Sequence, residues 1–79
     1  MFVSAKIKLA DARAELGISQ SSLVVFASVS KQTIVNAEKG LAIQRIQAHR
    51  ILKAINIYRQ QAGMAPLSIT DIDWKIVGE

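Results

Sequence analysis

The sequence predicts a small all-α domain of four to five helices that ends in a short strand-like tail. Apolar residues make up 51% of the 79 residues, and there are only four Gly and one Pro. Apolar side chains recur every three or four residues over most of the chain, which is the period of a helix. From residue 72 onward the period is two, which is typical of a half-buried strand.

Serine and glycine bound the first two predicted helices. Ser4 is a suitable N-cap for a helix over residues 5–16, and Gly17 suits the left-handed residue just past its end. Ser19 then caps a second helix over residues 20–27. By propensity alone the second segment could be a strand, because it is rich in Val and Phe. Its assignment as a helix therefore depends on the motif described below.

Two further helices follow. Ser30 caps a third helix over residues 31–38, which Gly40 ends. A fourth helix runs from Gln44 to about Ala62. Its predicted buried stripe consists of Ile46, Ile51, Leu52, Ile55, Tyr58 and Ala62, and its predicted polar face of Gln44, Arg45, Gln47, Arg50, Lys53, Arg59 and Gln60.

The tail, residues 67–79, is set apart from a helical domain over residues 1–66. Ile72, Trp74 and Ile76 alternate with charged residues, which predicts a single strand that needs a partner. The partner is either the segment of residues 2–5 or the same strand of a second subunit. We therefore expect Ile72, Trp74 and Ile76 to form a dimerisation surface.

Several classes of function are not expected. The chain has no Cys and one His, His49, so we expect no disulfide and no metal site. The longest apolar run, residues 23–27, is far too short for a membrane span, and the N-terminus lacks the pattern of a secretion signal. We therefore expect a cytoplasmic protein without a cofactor. The sequence contains neither a carboxylate cluster with a His partner nor a Gly-rich loop, so we do not expect an enzyme.

Charge is unevenly distributed along the chain. Residues 1–63 carry nine Lys or Arg against three acidic residues, whereas residues 64–79 carry one Lys against three acidic residues. The basic charge of residues 1–63 favours the binding of polyanions, because binding releases the counterions of the polyanion. Charge alone does not distinguish nucleic-acid binding from simple solubility.

The spacing within residues 19–40 predicts a helix-turn-helix. Two short helices that cross at a tight turn need a small residue at the crossing, an apolar side chain in the turn and a capped second helix. Ala27, Val29 and Ser30 meet these three requirements.

At this point the sequence resembles a known family, the lambda-repressor/Cro-type (XRE-like) helix-turn-helix regulators of prokaryotes and phages. The resemblance covers residues 5–57. The matching residues are Arg13, Gly17, Ser19, Gln20, Leu23, Ala27, Val29, Ser30, Thr33, Ile34, Glu38 and Gly40. It implies a lambda-repressor-like bundle whose third helix enters the major groove of double-stranded DNA. The implied function is that of a transcriptional repressor, bound as a homodimer to a palindromic operator.

The resemblance also implies roles for particular residues. Lys31, Gln32 and Asn36 would read base edges, with Lys31 suited to guanine and the two amides to adenine. Arg13 and Glu38 match a structural ion pair between helices one and three. The residues expected to contact the DNA backbone are Gln20, Thr33, Lys39, Gln44 and Arg45.

Three features depart from the family pattern. Ser28 stands where a turn Gly is usual, which costs on the order of 1 kcal/mol if its φ is positive. Ala37 replaces a larger apolar residue. Apolar residues also replace polar or basic ones, and they favour an alternative function as a protein-interaction module or an antitoxin-type partner. The residues that would bind the other protein are Val25, Phe26, Leu41 and Ile43.

Overall fold

Four α-helices make up most of residues 6–78, the part of the chain that this computed structural model describes. The prediction of a mostly helical chain with a strand-like end is confirmed. None of these helices is long and apolar enough to cross a membrane. The elements in chain order are β1 (Ile7–Lys8), α1 (Leu9–Glu15), α2 (Gln20–Ala27), α3 (Lys31–Glu38), β2 (Ala42–Gln44), α4 (Arg45–Gln61), a 3-10 turn (Ile69–Asp71), β3 (Ile72–Asp73) and β4 (Lys75–Val77).

The two central helices begin at the predicted caps. The hydroxyl of Ser19 accepts from the Ser22 amide at 3.0 Å, and that of Ser30 accepts from the Thr33 amide at 3.1 Å. The β-prone second segment is a helix because this cap acts together with burial of Leu23 on its inner face. The first helix is shorter than predicted, because part of the segment expected to begin it forms β1 instead. The predicted cap Ser4 lies outside the described residues.

One core joins every helix to the tail. Six large side chains are less than 2% exposed, and they come from α1, α2, α3, α4 and β3. Burying one such side chain contributes about 1.5–3 kcal/mol to folding. These residues are Leu9, Leu23, Ile34, Ile51, Ile55 and Ile72.

The buried stripe of α4 differs from the predicted one at both ends. Ile46 is 56% exposed, whereas Arg59, predicted on the polar face, is 8% exposed. The Arg59 Nε donates to the Ala65 carbonyl at 2.7 Å, and one terminal nitrogen donates to Glu15 at 3.3 Å. An arginine is tolerated here because two of its guanidinium nitrogens have hydrogen-bond acceptors, one of them a carboxylate. It is therefore not part of an exposed basic face.

The tail pairs with its own chain, in two parallel ladders. β3 lies beside β1 with Ile7 opposite Ile72, and β4 lies beside β2 with Ile43 opposite Ile76. The observed partners are β1 and β2 of the same chain, not the strand of a second subunit. The other predicted partner, residues 2–5, lies outside the described residues. The tail is thus a part of the helical domain rather than a separate segment.

The predicted dimerisation surface is wrong for one of its three residues, Ile72. Ile72 is fully buried, and Trp74 and Ile76 pack against the same core. The Trp74 indole N–H donates to the Ile69 carbonyl at 3.0 Å. Trp74 and Ile76 are half-buried, so their part in a dimer contact stays a prediction.

Hydrogen bonds of Asn56 and a capping box fix the turn that leads into the tail. The Asn56 side chain donates to the carbonyl of Leu67 and accepts from its amide, both at 2.8 Å. Ser68 and Asp71 then form a capping box, in which the Ser68 amide donates to the carboxylate at 2.8 Å. The backbone and side-chain hydrogen bonds from Ser68 lower the pKa of Asp71 below its ordinary value.

Burial of Ile72 predicts that the tail stabilises the whole domain. The Ile72→Ala variant should lower the free energy of unfolding by about 2–5 kcal/mol, since it leaves a cavity in the shared core. Urea denaturation followed by circular dichroism measures the loss. Val77→Ala, at a 40% exposed site of the same tail, is the matched control and should cost far less. Equal small losses would contradict a tail built into the core.

Candidate nucleic-acid interface

The turn between α2 and α3 holds a strained serine. Ser28 has φ 58° and ψ 45°, the left-handed conformation, and its amide donates to the Val24 carbonyl. The Val29 amide donates to the same carbonyl at 3.3 Å, and its side chain is 8% exposed in the turn. The two helices therefore meet at a tight turn, as the spacing predicts, although a residue with a Cβ in this conformation costs about 1–2 kcal/mol.

The carboxylate of Glu38 fixes α3 on the two preceding helices. Arg13 of α1 donates from Nε to Oε2 at 2.8 Å and from a terminal nitrogen to Oε1 at 3.4 Å. The same guanidinium donates to the Ile18 carbonyl at 3.0 Å. The side chains are 21% and 10% exposed, so the predicted ion pair is formed and partly shielded from water.

Gln20 takes part in this network, which the sequence did not reveal. Its Nε2 donates to Glu38 Oε1 at 2.8 Å. The prediction assigned Gln20 to a DNA phosphate. A primary amide has two N–H groups, so one hydrogen is committed to Glu38 and the second is left for another acceptor.

The outer face of α3 presents the residues predicted to read bases. Lys31 and Gln32 are exposed and Asn36 is half-buried. Gln32 Nε2 donates to Asn36 Oδ1 at 2.7 Å, one helical turn away. Gln32 keeps its Oε1 and one N–H, which is the donor and acceptor pair that an adenine edge requires.

The residues predicted to contact the DNA backbone lie at the ends of α3 and α4. Thr33 is occupied in the cap, since its hydroxyl lies 2.9 Å from that of Ser30. Lys39 is exposed at the end of α3. Gln44 precedes α4 and makes no side-chain cap, and Arg45 Nε donates to the Gly78 carbonyl at 3.3 Å.

An open cavity of about 250 Å³ brings three of these residues together. Thr33 and Asn36 line it from α3 and Gln44 from β2. Val77 of the tail also lines it, and sequence reasoning missed this because the parallel pairing of β4 with β2 places it there. The tail thus borders the predicted DNA-reading helix.

Two basic side chains lie at helix N-termini, where the helix dipole disfavours positive charge. Lys31 and Arg45 are the first residues of α3 and α4, and neither first turn contains an acidic residue. The helix dipole places partial positive charge at this end, so a cation there is unfavourable until an anion is bound. The arrangement favours a ligand with several negative charges.

The apolar residues of the alternative hypothesis are not all accessible. Val25, Phe26 and Leu41 are exposed, at 78%, 46% and 51%. Ile43 is 4% exposed, because it faces the core from β2. Ile43 is therefore removed from any proposed protein-binding surface.

No protein-family model matches this sequence, and no curated protein or solved structure matches it either. Within residues 6–78, His, Asp and Glu side chains nowhere gather in a group of three that could hold a metal ion. The functional argument consequently depends on the geometry of the residues themselves.

The strained turn predicts an unusual effect of glycine. Ser28→Gly should raise the free energy of unfolding by about 0.5–1 kcal/mol. Glycine adopts positive φ without the Cβ penalty, and the strain removed is larger than the extra conformational entropy that glycine loses on folding. Thermal and urea unfolding measure the change. Ser21→Gly, at an exposed helical position of α2, is the control and should destabilise by up to about 1 kcal/mol. Destabilisation by both substitutions would contradict the account of the turn.

The Glu38 network predicts strong coupling between helices. Glu38→Ala should cost about 2–4 kcal/mol, since it leaves the partly buried guanidinium of Arg13 without its carboxylate. A double-mutant cycle with Arg13→Met should give an interaction energy of about 1–3 kcal/mol. Denaturation curves of the four proteins measure it. Additive losses would mean that the pair does not join α1 to α3.

Proposed function

We propose that the chain is a sequence-specific DNA-binding regulator of the lambda-repressor/Cro type, and that it represses transcription from the site it binds. The observation that carries the proposal is the helix-turn-helix of α2 and α3, with the amide pair of Gln32 and Asn36 on the outer face of α3. An α-helix of this kind fits the major groove, where base edges are distinguishable.

Phosphate contacts would supply most of the affinity. Lys39 and Arg45 are exposed, at the end of α3 and at the start of α4. A phosphate bound at the first turn of α4 would compensate the unfavourable position of Arg45 and accept from unpaired amides. These contacts orient the protein without reading sequence.

Base reading would come from the amide pair. The hydrogen bond from Gln32 to Asn36 holds the Gln32 amide in one orientation before DNA arrives. Its remaining oxygen and N–H suit N6 and N7 of adenine, while Lys31 suits guanine. The network of Arg13, Gln20 and Glu38 fixes α3 on the other helices, so little ordering is left for the moment of binding.

A homodimer on a palindromic operator belongs to the same proposal. Two copies on half-sites about one helical turn apart reach the affinity range of specific regulators, which one module of this size seldom reaches. The contact between copies would not involve Ile72, which is fully buried. Sedimentation of the protein with and without operator DNA measures the stoichiometry.

Binding to duplex DNA should depend steeply on salt. With Lys39 and Arg45 each on a phosphate, log K against log salt should have a slope of about −2 per chain. Fluorescence anisotropy with a random duplex measures it. Lys39→Met should reduce the magnitude of the slope by about 1, whereas Lys53→Met, on the outer face of α4, should leave it unchanged. Absence of binding at low salt would overturn the DNA proposal and leave the protein-interaction alternative.

Base reading by Gln32 should be separable from affinity for any DNA. On a duplex selected from random sequences, Gln32→Ala should lose about 1–3 kcal/mol of binding free energy. Its binding to random duplex should stay the same. Gln60→Ala, at the exposed far end of α4, is the matched control for both duplexes. An equal loss on both duplexes would contradict a role of Gln32 in specificity.

A further inference from the structure

A second surface of the molecule exposes apolar side chains between α2 and α4. Val25 is 78% exposed and Phe26 46% exposed, and Ile57 and Tyr58 are half-buried beside them. The rings of Phe26 and Tyr58 are tilted by 53° with their centroids 4.9 Å apart. Val25, Phe26, Ile57 and Tyr58 are called the α2–α4 patch below.

Two open hollows share Phe26 in their lining. Each has a volume of about 430 Å³. The first is lined by Val25, Phe26 and Tyr58 together with two serines at the start of α2. The second runs from Phe26 to Ile57 and is bordered by Arg50 and Lys53. The contact with Tyr58 orients the Phe26 ring, which belongs to the lining of both hollows.

The requirements of the fold do not account for this surface. Val25 buries little area, and a β-branched residue lowers helix propensity at such a position. Single exposed apolar residues are ordinary, but a contiguous group that flanks depressions is typical of an interaction site.

The charges around the patch indicate the charge of the partner that would fit it. Arg50 and Lys53 are exposed, and within residues 6–78 neither forms a salt bridge. No acidic side chain lines either hollow. A second copy packed on this face about a two-fold axis would bring four like charges into one interface, which is unfavourable. A partner with carboxylates is complementary.

We propose that the α2–α4 patch docks an acidic amphipathic helix of a different protein. Apolar side chains one turn apart, about 5–6 Å, would enter the two hollows that share Phe26, as in helix-in-groove recognition. Carboxylates on the flank of that helix would pair with Arg50 and Lys53. None of the residues predicted to contact DNA lines either hollow, so this inference does not rest on the proposed function.

A designed probe tests the proposal. It is a fluorescein-labelled helical peptide with Leu along one face and Glu on its flanks, paired with a matched peptide that carries Lys in place of Glu. Anisotropy titration should show that the full chain binds the Glu peptide at least tenfold more tightly than the Lys peptide. Affinity for the Glu peptide should fall as salt rises. Equal affinity for the two peptides, or binding of neither, would overturn the proposal.

Variants locate the binding surface. Val25→Ser should weaken binding of the Glu peptide at least tenfold, whereas Ile46→Ser, which alters a 56% exposed apolar residue outside both hollows, should not. The doubly reversed variant Arg50→Glu with Lys53→Glu should exchange the preference and bind the Lys peptide more tightly. Circular dichroism checks that each variant is folded.

Self-association is the competing occupant of the patch. Sedimentation without peptide should give the same molecular mass for the wild type and Val25→Ser. If the wild type associates and Val25→Ser abolishes the association, the patch binds a second copy and the proposal is wrong. The α2–α4 patch is separate from the residues predicted to contact DNA, so the peptide should still bind when the chain is saturated with duplex DNA. Competition between the peptide and the duplex would contradict this separation of the two surfaces.

Discussion

The carboxylate of Glu38 joins the three helices on which the predicted interface is built. It accepts from Arg13 of α1 and Gln20 of α2, and it belongs to the last turn of α3. α3 has eight residues, which is too short to be stable alone. Its orientation therefore depends on this network and on burial of Ile34. Any function that needs a fixed outer face of α3 depends on the same contacts.

The tail gives the fold a second constraint. Its two parallel ladders return the chain to β1, at the start of α1, and to β2, between α3 and α4. Ile72 enters the common core, and Val77 lies beside Thr33 and Asn36. The C-terminal segment thereby supports the helix that carries the proposed base-reading residues. The same burial removes Ile72 from the predicted dimer contact.

Local features of the fold could be predicted from sequence, and non-local ones could not. The caps at Ser19 and Ser30 act within three residues, so the bounds of α2 and α3 follow from the sequence. The pairing of β2 with β4 spans more than thirty residues, and three-residue strands carry little signal of their partner. Arg59 was misplaced because its carbonyl acceptor lies beyond the helix end.

The candidate site shows the same division. The positions of Lys31, Gln32 and Asn36 on α3 follow from helical spacing, whereas the hydrogen bond of Gln20 to Glu38 depends on how α2 crosses α3. The measurement that tests the central claim most directly is an NMR titration of the 15N-labelled chain with a selected duplex at low salt. The account predicts the largest shifts at the Gln32 and Asn36 side-chain amides and at the first turns of α3 and α4. Shifts confined to Val25, Phe26 and Tyr58, or none at all, would contradict it.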